Sequence, residues 1–257
     1  MQRIHTWLHV LLQIFILIAG IALLVRCRNS DSVSPHNHNV GKGGSMARFA
    51  ILGNYLYAVD RYALNTFDIS NLANPKDINK TQIGWEIETI FPYNNTLFIG
   101  SADGMYIYSL QNPVHPQLLS VYRHIRACDP VVVEGNYAYV TLRSGNTMCQ
   151  GITNQLEVID ISDYTNPKQL KVFPMHNPAG LGIQGNLLFV CDGKEGLKVF
   201  DRSDPVNITQ VQQFRDIDAF DVIPLPNSLL LIGKSGFFQY AYQNNSLTLL
   251  SSLLVER

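Results

Sequence analysis

The stretch "ACDPVVVEGNYAYVTLRSG", residues 127–145, reads as two short strands joined by a Gly-Asn turn. Aliphatic and aromatic residues flank Gly135-Asn136, and such a dipeptide tolerates the positive φ that a tight hairpin needs. Nearly the same pattern recurs as "ILGNYLYAV" (51–59) and "IQGNLLFVCDG" (183–193). With two weaker copies, the turn falls at Gly53-Asn54, Asn94-Asn95, Gly135-Asn136, Gly185-Asn186 and Pro226-Asn227, spaced by 41, 41, 50 and 41 residues.

A strand follows each turn: "YLYAV", "TLFIG", "YAYVT", "LLFVC" and "SLLLI". Another ends in a polar turn: "LNTFDIS", "MYIYSLQ", "LEVIDIS", "LKVFDRS" and "FFQYAYQ". Prolines then mark a connection in the first four copies (Pro75, Pro113, Pro167, Pro205), where they remove no ladder hydrogen bond. A fourth strand closes each unit, as in "QLLSVYRH" and "ITQVQQF". A period near forty with four strands per period predicts an all-β, five-bladed β-propeller of four-stranded blades over residues 45–257. One such unit cannot bury both of its faces alone, so the units pack face to face around an axis.

These copies resemble the LVIVD-repeat family, with "LEVIDIS" (156–162) closest to the name-giving motif and repeats two and five lacking its aspartate. The resemblance implies a propeller of the bacterial envelope, as in lipoproteins of Bacteroidetes type. It implies no particular chemistry.

Ahead of the repeats, "WLHVLLQIFILIAGIALLV" (7–25) is an apolar run long enough to span a bilayer. Residues 1–27 read as a signal peptide or membrane anchor: a secretory signal, a lipoprotein signal with Cys27 as the lipidation candidate, or a retained helix. Arg26, immediately before Cys27, departs from the small residue a lipobox wants. Residues 28–44, "RNSDSVSPHNHNVGKGG", are polar and aperiodic, as in a flexible linker. The expected location is the cell envelope, with the membrane engaged through the N-terminus.

Charge narrows the partners. Lys plus Arg (19) and Asp plus Glu (20) nearly cancel and no basic cluster stands out, which excludes an electrostatic nucleic-acid surface.

Repeat three carries extra length in "RSGNTMCQGITN", between its second and third strands. In an antiparallel blade that loop shares a rim with the start of the first strand. The rim therefore gathers a candidate ligand-binding set of Arg126, Asp129, Arg143, His176 and Asp192. The plainer reading of Asp129 and Asp192 is turn capping, and of His176 a loop residue. Cys128, Cys149 and Cys191 are disulfide candidates in an exported chain, Cys128 with Cys149 first and Cys191 as the rival partner of either. Acidic residues on other first strands (Glu86, Glu88, Asp218, Asp221) are candidates to line the channel.

No catalytic spacing, cofactor motif or metal-ligand spacing is present. The expected function is a non-enzymatic, envelope-tethered binding or scaffold module without cofactor, its partner an envelope protein, glycan or small ligand. The alternative is a metal-assisted hydrolase or lyase on the rim of repeats three and four.

Overall fold

The computed structural model describes residues 43–124, 130–145 and 152–255. The signal or anchor segment, Cys27 and the linker to residue 42 lie outside them. The propeller residues fall in one compact unit, Asn39–Arg257.

Twenty strands form five antiparallel four-stranded sheets, each in sequence order from the axis outwards. Blade 1 is β1 (Phe49–Leu52), β2 (Tyr55–Val59), β3 (Ala63–Asp68) and β4 (Lys76–Gln82). Blade 2 is β5 (Ile87–Tyr93), β6 (Thr96–Ser101), β7 (Gly104–Ser109) and β8 (Gln117–Arg123). Blade 3 is β9 (Val131–Glu134), β10 (Tyr137–Leu142), β11 (Gln155–Asp160) and β12 (Lys168–Pro174). Blade 4 is β13 (Leu181–Gln184), β14 (Leu187–Cys191), β15 (Leu197–Asp201) and β16 (Thr209–Phe214). Blade 5 is β17 (Ala219–Leu225), β18 (Ser228–Gly233), β19 (Gly236–Gln243) and β20 (Ser246–Leu254). The five-bladed architecture is the one the repeat spacing predicts.

The recurring turn does two things. Gly53, Asn94, Gly135 and Gly185 take φ of 58°, 42°, 63° and 57°, which glycine and asparagine tolerate best. The next residue's carbonyl then accepts a 2.8 Å hydrogen bond from the end of the third strand: Asn54 from Ile69, Asn95 from Leu110, Asn136 from Ile161 and Asn186 from Arg202. Each first hairpin is thereby tied to its blade's outer connection. The motif aspartates hold that connection, with Asp68, Asp160 and Asp201 each accepting at 2.8 Å from the backbone N–H two residues on. In repeat two Ser109 Oγ does the same at 3.2 Å.

Every outer strand carries a bulge that leaves one aliphatic residue unpaired: Ile78, Leu119, Leu170, Val211 and Leu250. A bulge twists a sheet edge away from pairing with another chain, so the device protects all five exposed edges.

Neighbouring residues of the inner blades serve two cores at once. On β6, Leu97 and Ile99 pack towards blade 1 while Phe98 packs towards blade 3. On β14, Leu188 and Val190 face blade 3, and Phe189 and Cys191 face blade 5. Four apolar cores result, one between each successive pair of blades from 1 to 5. The terminal blades differ. Leu229 and Leu231 of β18 are buried against blade 4, but Leu230 and Ile232 on the other face stay half-buried. On β2, Tyr57 and Val59 are buried against blade 2, whereas Leu56 and Ala58 are half-buried. Among the described residues no apolar cluster joins blade 5 to blade 1, and Phe49 and Phe237 remain 59% and 50% exposed.

Polar contacts link the ends instead. The turn before β1 lies across the axis. Ser45 Oγ donates to Asp221 Oδ1 of blade 5 at 3.0 Å and accepts from Leu181 N of blade 4 at 2.8 Å. Met46 N donates to Asp221 Oδ2 at 3.4 Å, and Ala47 O accepts from Ile90 N of blade 2 at 2.9 Å. A bulge at Phe220 in β17 sets the face of Asp221. Gly44 and Gly180 are required here, because a Cβ on either would lie 2.0 or 2.1 Å from the Asp221 carboxylate.

Two predictions follow from the packing. Ile107, sandwiched in the core between blades 2 and 3, should lose about 3–4 kcal/mol of stability on truncation to alanine. The same change at one-sided Ile232 should cost about 1 kcal/mol, measured by denaturant unfolding; equal costs would contradict the open seam. Burial raises the Asp221 pKa from 3.8 to about 6, against the hydrogen bonds from Ser45, Val222 and Met46. The native protein therefore binds this proton more tightly than the unfolded chain. The stability it contributes is complete below about pH 4 and is lost as pH rises through about 6. That amounts to about 3 kcal/mol relative to Asp221→Asn, and a pH-independent difference between the two proteins would contradict it.

Candidate functional site

The first strands of all five blades converge on the axis. Between the Ser45 turn and the ends of those strands they enclose a cavity of ≈ 350 Å³. Its walls are aliphatic or aromatic, as at Ile90, Phe91, Val132, Leu181, Ile183 and Val222, with Gly43 and Gly44 beside them. Among the described residues, polar side chains enter the lining at Ser45, Tyr93 and Glu134. Ser45 is committed to Asp221 and Leu181, so the remaining polarity lies at the hairpin end.

There the repeat is broken. The residue after Asp68, Ser109 or Asp160 is Ile69, Leu110 or Ile161 in copies one, two or three, but after Asp201 in copy four it is Arg202. Arg202 Nη1 donates to Glu134 Oε2 at 2.6 Å and to Gly185 O at 2.7 Å, and Nε donates to Tyr139 Oη at 3.2 Å. Its guanidinium stacks 5.5 Å from the Tyr139 ring centroid. Tyr93 Oη accepts from Gly135 N at 2.8 Å, which brings the tyrosine beside the Glu134 hairpin. Sequence reasoning missed all three residues. Only the charge standing in an aliphatic column of the repeat would have given them away.

The rim expected to bind lies at the opposite ends of the first strands. Arg126, Asp129, Cys128 and Cys149 lie outside the described residues. Of the remainder, the structure brings His176 and Asp192 together, through the backbone rather than the imidazole. Asp192 is fully buried and accepts from His176 N at 3.0 Å, from Asn177 N at 2.8 Å and from Lys198 Nζ at 2.6 Å. It pins a loop, while the His176 side chain is exposed. Arg143, just after β10, has a buried Nε without a hydrogen bond among the described residues, and its charge acts on Glu88. Burial raises the Glu88 pKa, and Arg143 and Arg48 oppose that rise.

Among the channel candidates, Asp221 reaches the axis, Glu86 is buried and lies 3.7 Å from Arg61, and Asp218 is exposed. None of the four acidic residues lines the cavity. Cys191 is a free thiol enclosed in the core between blades 4 and 5, while the other two disulfide candidates lie outside the described residues. Burial pushes the Cys191 pKa up, which makes the thiol unreactive. Among the described residues no group of three or more His, Cys, Asp or Glu is placed to hold a metal ion. No described helix is long and apolar enough to cross a membrane.

Solved propellers resemble this one at the level of fold. A putative 6-phosphogluconolactonase from Bacteroides uniformis superposes with a TM-score of 0.64 at 13% identity, over 81% of this chain and 70% of that one. The periplasmic gluconolactonase of Pseudomonas aeruginosa gives 0.62 at 13% identity, over 79% and 68%. A protein of unknown function from Desulfotomaculum acetoxidans gives 0.61 at 13% identity, over 84% and 73%. No curated protein sequence matches the chain. The LVIVD repeat model matches residues 43–79, 126–171 and 179–216, which are blades 1, 3 and 4, the copies that keep the motif aspartate. Those three matches fall on blades of one five-bladed β-propeller, so the chain carries LVIVD repeats on a propeller fold.

Proposed function

We propose that the protein is a non-catalytic binding module whose small ligand lies in the axial cavity, tethered at the cell envelope by its N-terminal apolar run. The observation that carries this is the cavity itself. At ≈ 350 Å³, with carbon-rich walls and a few polar groups at one end, it has the size and composition of small-molecule sites. Its one carboxylate is paired with Arg202, and no second carboxylate stands in the described lining. Of the described rim residues, Asp192 is spent on holding a loop. The tether rests on "WLHVLLQIFILIAGIALLV" and the polar linker after it.

The competing reading is a hydrolase, including the metal-assisted hydrolase or lyase on the rim of repeats three and four. Two of the similar structures carry lactonase names, at an identity that speaks for the fold alone.

Both readings meet one experiment. Full-length protein and an Ala47→Phe variant, which fills the cavity wall, are purified from membranes, and organic extracts of each are compared by mass spectrometry. A small apolar compound carried by the wild type and lost in the variant is the expected result; extracts that do not differ would overturn it. Hydrolysis of gluconolactone above the buffer rate would replace the binding module with an enzyme.

A further inference from the structure

The axial cavity is chemically polarised, and its polar end departs from the repeat in a way that selects a head group. Resting on the binding reading above, we propose that its ligand is an apolar compound bearing one neutral hydroxyl, with the body in the shaft and the hydroxyl between Tyr93 and Glu134.

Repeat proteins reuse one set of contacts in every unit, so a charged pair found in a single unit has a local cause. Glu134 and Arg202 form such a pair. Arg202 has a side chain only 10% exposed, and stands where three other copies place Ile or Leu. Burying a guanidinium there costs stability unless it is fully paired, and Glu134, Gly185 and Tyr139 supply the partners. The arrangement holds the Glu134 carboxylate at the cavity lining with its charge balanced.

That balance decides the head group. Glu134 Oε2 takes the guanidinium, while Oε1 has no hydrogen-bond partner among the described residues and accepts only. Tyr93 Oη already accepts from Gly135 N, which leaves its proton to donate. One acceptor and one donor at the same end of the lining match a hydroxyl, which uses both. A ligand carboxylate could accept from Tyr93 but has no proton to give Glu134 Oε1, and its charge would face that of Glu134. An ammonium would add a second cation beside Arg202, which already neutralises the glutamate.

The shaft supplies affinity without direction. Ile90, Val132, Leu181 and Val222 present carbon on four blades, and the Gly44–Ala47 turn closes across the axis above them. A linear or flat hydrocarbon body fits such a wall. A sugar, whose many hydroxyls would be stripped of water without partners, does not.

The test is displacement of N-phenyl-1-naphthylamine fluorescence from full-length protein by 1-dodecanol, dodecanoate and dodecylammonium. Each titration is read as the difference between wild type and Ala47→Phe, so that dye taken up elsewhere on the chain cancels; circular dichroism confirms that the variant is folded. Dodecanol should displace the dye at about tenfold lower concentration than either charged analogue. Tyr93→Phe and Glu134→Gln should keep dye binding while losing most of that preference. Dye binding without head-group preference, or a preference unchanged in both variants, would overturn the hydroxyl assignment and leave the binding reading standing. No difference between wild type and Ala47→Phe would overturn both.

Discussion

A four-stranded sheet that is apolar on both faces is stable only between two neighbours. Blades 2, 3 and 4 meet that condition: consecutive residues such as Leu97, Phe98 and Ile99 are divided between two cores, and all three are fully buried. The terminal blades meet it on one face each. The ring is joined where no apolar core spans the ends, by a turn whose backbone and one serine reach blades 2, 4 and 5 together. Asp221 is the centre of that junction and the reason two glycines face it. A buried carboxylate with a raised pKa is a costly joint, and it makes the seam the weak point of a ring whose other interfaces are apolar.

The same turn shapes the site. By crossing the axis it lets the five first strands enclose a pocket on the hairpin side. The motif aspartates and the Gly-Asn turns that define the repeat belong to the scaffold, each satisfying backbone groups at a strand end. Chemistry is found where the repeat fails. Arg202 replaces an aliphatic residue, Glu134 balances it, and their meeting point is the one charged position of the cavity lining.

Much of the fold was legible in the sequence because a hairpin turn and a strand alternation are local. Gly135-Asn136 announces its hairpin without reference to anything distant, and five such signals at near-constant spacing give five blades. The seam was not legible. Leu230 alternates with Leu229 and Leu231 as any blade residue would, and only the missing neighbour leaves it half-buried. Asp221 was named as a channel residue, but the bulge at Phe220 that sets its face has no sequence mark. Of the rim set, Arg126 and Asp129 lie outside the described residues. Asp192 is there, but it is consumed by backbone amides, and Cys191 faces inward because alternation along β14 puts it on the blade 5 side. Arg202 was visible in "LKVFDRS", set against "LNTFDIS" and "LEVIDIS", as a charge in an aliphatic column.

The central claim is that the axis, and not the rim, holds the ligand. A crystal structure of the full-length protein soaked with 11-bromo-1-undecanol tests it most directly, because anomalous scattering locates the bromine independently of the fold. The account predicts bromine in the shaft below the Ser45 turn and the hydroxyl between Tyr93 and Glu134. Bromine at the rim near Arg143, or only on the apolar outer strand of blade 5, would contradict it.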